Sequence, residues 1–158
     1  MSADRPHPSG RRVPALAAVV LVTLTLGACG SRYGRTEVAG PVTTPELSDL
    51  EGHAWVTDVI LDPHRALVAG STLRVTFGPH SLSADAGCNT LAGGATVRDR
   101  KLVAGPLPAT QKGCAAPLAA QDVWLAAFLR SRPRIERLDE NLWLSRHDTV
   151  VHLTQTSG

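Results

Sequence analysis

Any chemistry in this 158-residue chain would rest first on its three cysteines and six histidines, so their spacing is the first question. Cys29, Cys88 and Cys114 lie far apart, and no Cys-x-x-Cys pair supplies the resolving thiol of a redox enzyme. A zinc site needs three or four ligands, usually including a local pair. His147 and His152 come nearest to that spacing, but in a turn and the strand after it they point apart. His53, His64 and His80 are scattered on turns and strands, where a surface or capping role fits better than that of a base for a cysteine nucleophile. No Gly-x-Ser-x-Gly elbow, Walker loop or dinucleotide fingerprint occurs, and the glycine-rich run 87–94 lacks the Lys-Ser/Thr and following helix of a phosphate loop. No catalytic, cofactor or metal residue is assigned, and the chain is expected not to be an enzyme.

The first 28 residues read as an address. Arg5, Arg11 and Arg12 precede an almost purely apolar run from Val13 to Ala28, the charged and apolar regions of a secretory signal peptide. The run is shorter than the ~20 residues a membrane span needs. Leu26-Gly27-Ala28-Cys29 then resembles the lipobox of bacterial lipoproteins. That resemblance implies cleavage before Cys29 and a lipid on its sulfur, which would hold the protein to the outer face of the cell membrane. The Arg11-Arg12 pair also suggests twin-arginine export, but Val-Pro-Ala after it is a poor match. Without residues 1–28 the chain keeps 13 basic and 13 acidic side chains, so no electrostatic case for nucleic-acid binding remains.

With Cys29 lipidated, Cys88 and Cys114 are left as an even pair. In an exported domain such a pair most simply forms a disulfide, and two buried reduced thiols are the alternative. Residues 29–45, rich in Gly, Pro, Ser and Thr, read as a flexible tether, and residues 46–158 as one folded domain. A content of 43% hydrophobic and 19% charged residues fits a chain that buries a core.

Within the domain, Trp55–Asp62 reads as a first strand with apolar residues on both faces, Trp55, Val59 and Leu61 sharing one of them. Leu73–Phe77 alternates cleanly, and His80–Ala84 is placed as its hairpin partner. Ala95–Arg98 and Lys101–Ala104 are paired through Asp99-Arg100. Pro117–Ser131 is the one helix, with Leu118, Trp124, Leu125, Phe128 and Leu129 on its core face and Asp122 and Arg130 opposite. Arg134–Leu138, Leu142–Arg146 and Thr149–Thr154 close the domain as strands. The fold class is mainly β (α+β): a small antiparallel, curled or barrel-like sheet with one helix, about 117–131, between strands. In the turn at Gly87-Cys88-Asn89, the Asn89 amide is expected to bond its own backbone and to tolerate a left-handed conformation.

Four islands, in order, resemble META/HslJ-type domains. Leu50-x-Gly52-x-x-Trp55 is similar to their opening, and Gly87-Cys88-Asn89 with Gly93 to their glycine-rich signature. Thr110-x-x-x-Cys114 is similar to the block before the helix, and Leu142-x-Leu144 to the closing hairpin. Ala95 and Leu153 stand where the family commonly has aromatics. The resemblance spans about Leu50–Leu153 and implies a small barrel-like sheet with one helix. It also implies a family of largely unknown biochemistry, found in heat-shock-associated and envelope lipoproteins and linked to stress or drug tolerance. The expected function is a lipid-anchored, non-enzymatic binding or stress-related envelope module whose partner is another envelope protein. The alternatives are a small apolar ligand in the barrel mouth, or a thiol-dependent enzyme using a free Cys88.

Overall fold

The computed structural model describes residues 40–57 and 59–156. The leader 1–28, Cys29 and the tether up to residue 39 lie outside the described residues. Among those described, no helix is long and apolar enough to cross a membrane.

Among the described residues, nine antiparallel strands, a short 3-10 turn and one α-helix make up the domain. The strands are β1 (Ala54–Thr57), β2 (Ile60–Leu61), β3 (Leu73–Gly78), β4 (Ser81–Asp85), β5 (Thr90–Arg98), β6 (Lys101–Ala104), β7 (Arg134–Leu138), β8 (Asn141–Arg146) and β9 (Thr149–Thr156). The helix α1 (Ala116–Arg130) lies between β6 and β7. Neighbours run β1-β3-β4-β5-β6-β7-β8-β9, and β9 pairs back onto β1, so eight strands close a barrel. Closure removes the free edges that an open sheet of these short strands would expose.

Alternation decides which side of each strand faces in. Leu73, Val75 and Phe77 on β3 are buried, as are Leu142 and Leu144 on β8 and Val151 and Leu153 on β9. Their cross-strand partners continue the same layer: Trp55 opposes Val75, Val75 opposes Ala84, and Leu142 opposes Leu153. Side chains fill the barrel interior. Tight turns set the registers. Asp99 (φ 50) and Arg100 (φ 62) both take left-handed conformations between β5 and β6, as a two-residue hairpin turn of the primed type requires.

The structure corrects the first strand. It breaks after Thr57, whose hydroxyl donates to the Val59 carbonyl (2.7 Å) and accepts from the Val59 N–H (3.0 Å). That local ring inserts an extra residue, so inward facing passes from Trp55 to Ile60, while Val59 and Leu61 are exposed. The strand is not covered on both faces. Two further differences follow from pairing. β5 starts at Thr90, well before Ala95, because residues 90–94 pair with β4 on one side and receive the 105–110 segment on the other. Thr43, placed in the tether by sequence, exchanges backbone hydrogen bonds with Arg137 (2.9 and 2.8 Å), so pairing with the domain starts before Glu46.

The thinnest seam is between β6 and β7, where Lys101 opposite Arg134 is the one ladder pair. α1 packs beside β6 next to this seam, burying Leu125, Phe128 and Leu129 in the common core. Pro117 sits in its first turn, and Ser131, Arg132 (φ 62) and Pro133 end it.

Candidate functional site

The Leu50-x-Gly52-x-x-Trp55 motif has a structural explanation. A 3-10 turn at Leu47–Leu50 buries Leu50 and presents its carbonyl to the Trp55 indole N–H at 3.2 Å. Gly52 carries the chain between the two, and the Arg137 guanidinium lies 5.4 Å over the Trp55 ring. A buried indole whose N–H is bonded contributes its full apolar area without an orphaned donor.

The glycine-rich signature forms a second cluster, at the rim where β4, β5, the 105–115 segment and α1 meet. Asp85 ends β4 and accepts the Gly87 N–H at 2.7 Å. Gly87 has φ +99, and a Cβ there would press on Ser71 (3.1 Å) and Leu118 (3.3 Å), so both backbone and space call for glycine. Cys88, buried, is disulfide-bonded to Cys114 with Cα atoms 6.0 Å apart.

Asn89 is the hub, in a role different from the one its sequence context suggests. It is not left-handed and its side chain does not cap its own turn. Its Nδ2 donates to Asp122 Oδ2 (2.9 Å) and Cys88 Sγ (3.1 Å), and its Oδ1 accepts from Thr110 Oγ1 (3.1 Å) and the Lys112 N–H (2.8 Å). Its backbone N–H also donates to Asp122 Oδ2, at 2.9 Å. One amide therefore ties the turn to the 110–112 segment and to α1, with its donors and acceptor all engaged. Thr110 completes the link by accepting the Thr90 N–H at 3.1 Å.

Asp122 is thus not on the solvent face of α1. It is buried, as is Gln121, whose Nε2 donates to the Ala86 carbonyl (2.6 Å) and Ser71 Oγ (2.9 Å) while its Oε1 accepts the Val68 N–H (2.7 Å). These two polar side chains fasten α1 to the signature turn and to the 62–72 loop. Sequence reading missed both, although the signal was present. Asp122 lies four residues after Leu118 and three before Leu125, on the same helical stripe as those leucines. Asp122 Oδ1 has no partner among the described residues.

Gly93 answers to a third constraint. It sits in β5 with the Pro106 carbonyl oxygen in the space a Cβ would need, and a Cβ would collide with that carbonyl and with Leu107. The signature glycine allows the 105–110 segment to lie flat on β5.

A family model, META domain, matches residues 48–158. The chain belongs to the META domain family. Two solved structures share the fold. An NMR structure of a protein from Burkholderia xenovorans is 17% identical with TM-score 0.59, over 97% of this chain and 99% of that one. A second NMR structure is 18% identical with TM-score 0.55, over 68% of this chain and 92% of that one. No curated protein matches the chain.

In this META domain the family-signature residues form two separate clusters. Leu50, Gly52 and Trp55 make one, and Gly87, Cys88, Asn89, Gly93 and Cys114 belong to the other. His147 occupies the β8–β9 turn, and His152 lies within β9 bonded to Asn141 (2.8 Å). Among the described residues, no three His, Cys, Asp or Glu side chains converge as a metal site.

Proposed function

We propose that the protein is a lipid-anchored envelope protein whose META domain is a non-enzymatic binding module. The observation that carries the reading is the saturation of the signature cluster. Asn89 spends its amide on four internal partners, and Cys88 is bonded to Cys114. A group that acts on a substrate needs an unengaged donor, acceptor or thiolate, and these residues are committed to holding loops and helix together. A thiol-dependent reaction would further require Cys88 to be free. The apolar-ligand reading needs an open interior, whereas Leu73, Val75, Leu102, Leu142, Leu144 and Leu153 fill it. Anchoring rests on the arginine-bearing n-region, the apolar run and the lipobox at Cys29.

The test is expression of the full chain and its Cys29→Ala variant in a bacterium fed labelled palmitate. The wild-type chain is expected to fractionate with membranes and carry label, and the variant to lose both. Membrane attachment unchanged by the substitution would refute the anchoring.

A further inference from the structure

The outer wall of the barrel carries a row of polar side chains, of which Asp85 already accepts from the Gly87 N–H (2.7 Å) and from Thr90 Oγ1 (3.5 Å). Strand register aligns Thr154, Val56, Arg74, Asp85 and Thr90 as successive neighbours across β9, β1, β3, β4 and β5. With adjacent strands about 4.8 Å apart, this outward row spans roughly 19 Å. A second row beside it pairs Thr76 with Ser83.

These residues line two adjoining hollows. One, of about 550 Å³, is walled by Thr72, Arg74, Thr76, Ser83, Asp85 and Thr90. The other, of about 540 Å³, shares Thr72 and continues along Val56, Val59, His152 and Thr154. The two share one wall residue, Thr72, and between them border five strands.

From these two adjoining hollows we infer a binding site for an extended, uncharged oligosaccharide, a ligand class that deepens the binding-module reading above and rests on it. The chemistry is that of a polyol. Arg74 offers only donors, Asp85 only acceptors, and the hydroxyls of Thr72, Thr76 and Ser83 offer both. Among the described residues, Arg74 and those three hydroxyls have no side-chain hydrogen bond, a property Arg74 shares with Arg98, Arg130, Arg132 and Arg146. Arg74 and Asp85 face each other across the strands, so a cation and an anion each meet a like charge beside the opposite one. A neutral chain of hydroxyls uses both groups without that conflict.

The β9 end supplies the apolar contact that the C–H face of a sugar ring takes. The His152 ring is fixed by stacking on Trp143, with centroids 5.0 Å apart and planes 10° apart, and by its bond to Asn141. Val56 and Val59 lie beside it. A ring already held in place loses little rotamer freedom on binding.

The test is calorimetric titration of the full chain, purified in detergent, with chitohexaose, maltohexaose and inorganic phosphate. Saturable binding of at least one hexasaccharide is expected, weakened at least tenfold in Arg74→Ala and several-fold in His152→Ala. Both residues lie on the outer wall, and circular dichroism checks that each variant folds. Binding of phosphate alone would overturn the inference in favour of an anion site. Failure of both hexasaccharides to bind, or binding untouched by both substitutions, would overturn it as well. The titration does not depend on acylation, so it can fail while the palmitate experiment succeeds, and the reverse.

Discussion

Asp122 Oδ2 receives two hydrogen bonds from Asn89, one from the backbone N–H and one from the side-chain amide, both at 2.9 Å. The two residues are 33 positions apart, and this contact is where α1 meets the glycine-rich turn. It turns a family signature into a mechanical junction. Cutting it leaves a buried carboxylate without its donors, which is costlier than the bond is worth when made.

The first prediction concerns Asn89 itself. Asn89→Ala strips the side-chain donor from Asp122, leaving the backbone N–H bond, and the acceptor from Thr110 and Lys112, and should lower unfolding free energy by about 2–4 kcal/mol. Asn89→Asp should be at least as damaging, because it sets a second carboxylate against Asp122. Urea midpoints at unchanged slope measure both. A shift within the experimental error for Asn89→Ala would remove Asn89 from its place as hub.

The staple gives a second. Cys88 and Cys114 are 26 residues apart, and constraining a loop of that size contributes about 3.5 kcal/mol in the chain-entropy description. Cys88→Ser/Cys114→Ser should lose stability of that order while retaining the far-ultraviolet spectrum of the barrel. Thiol titration of the denatured, unreduced wild-type protein should find no free thiol from this pair. Two free thiols would contradict the disulfide.

Neighbouring glycines supply a contrast. Gly93→Ala should cost about 2–3 kcal/mol, because its new methyl meets the Pro106 backbone. Gly94→Ala should stay within about 0.5 kcal/mol, since the nearest atom to its Cβ is the His80 carbonyl at 3.9 Å. Equal losses at the two sites would show that the requirement is not steric.

Acid should loosen one particular seam. Asp62 accepts from Thr149 Oγ1 (2.6 Å) and from the His64 N–H (2.8 Å), joining the end of β2 to β9. The Thr149 hydroxyl first, and the His64 N–H second, hold its carboxyl below the ordinary value. A carboxyl depressed in the folded state adds stability above its unfolded pKa and loses it as pH falls through the folded one. Asp62→Asn should therefore melt lower than wild type at neutral pH, with the gap closing below about pH 4. Glu136, depressed mainly by its bond from Arg134 and also by Arg100, should show the same pattern in Glu136→Gln. A gap that widens on acidification would reverse the sign and refute the assignment.

Much of the fold was legible because its signals are local. Alternation on β3 and β8, the turn residues between hairpins, and Pro117 and Pro133 around the helix all act within a few residues. Cysteine parity likewise pointed to the disulfide. What escaped reading depends on partners far along the chain. Asp122 is polar, so it was assigned to solvent, but Asn89 from another element gives it a buried home. The break after Thr57 was hidden because a hydroxyl closing on Val59 leaves no hydropathy trace. Asn89 looked like a turn residue for the same reason, since three of its four side-chain partners lie at 110, 112 and 122.

The central claim is that the signature serves as a junction between helix and barrel. A double-mutant cycle on Asn89→Ala and Asp122→Ala tests it most directly, by urea unfolding of wild type, both singles and the double. A coupling free energy of about 1–3 kcal/mol between the two positions is expected. Strictly additive losses, with no coupling, would contradict it.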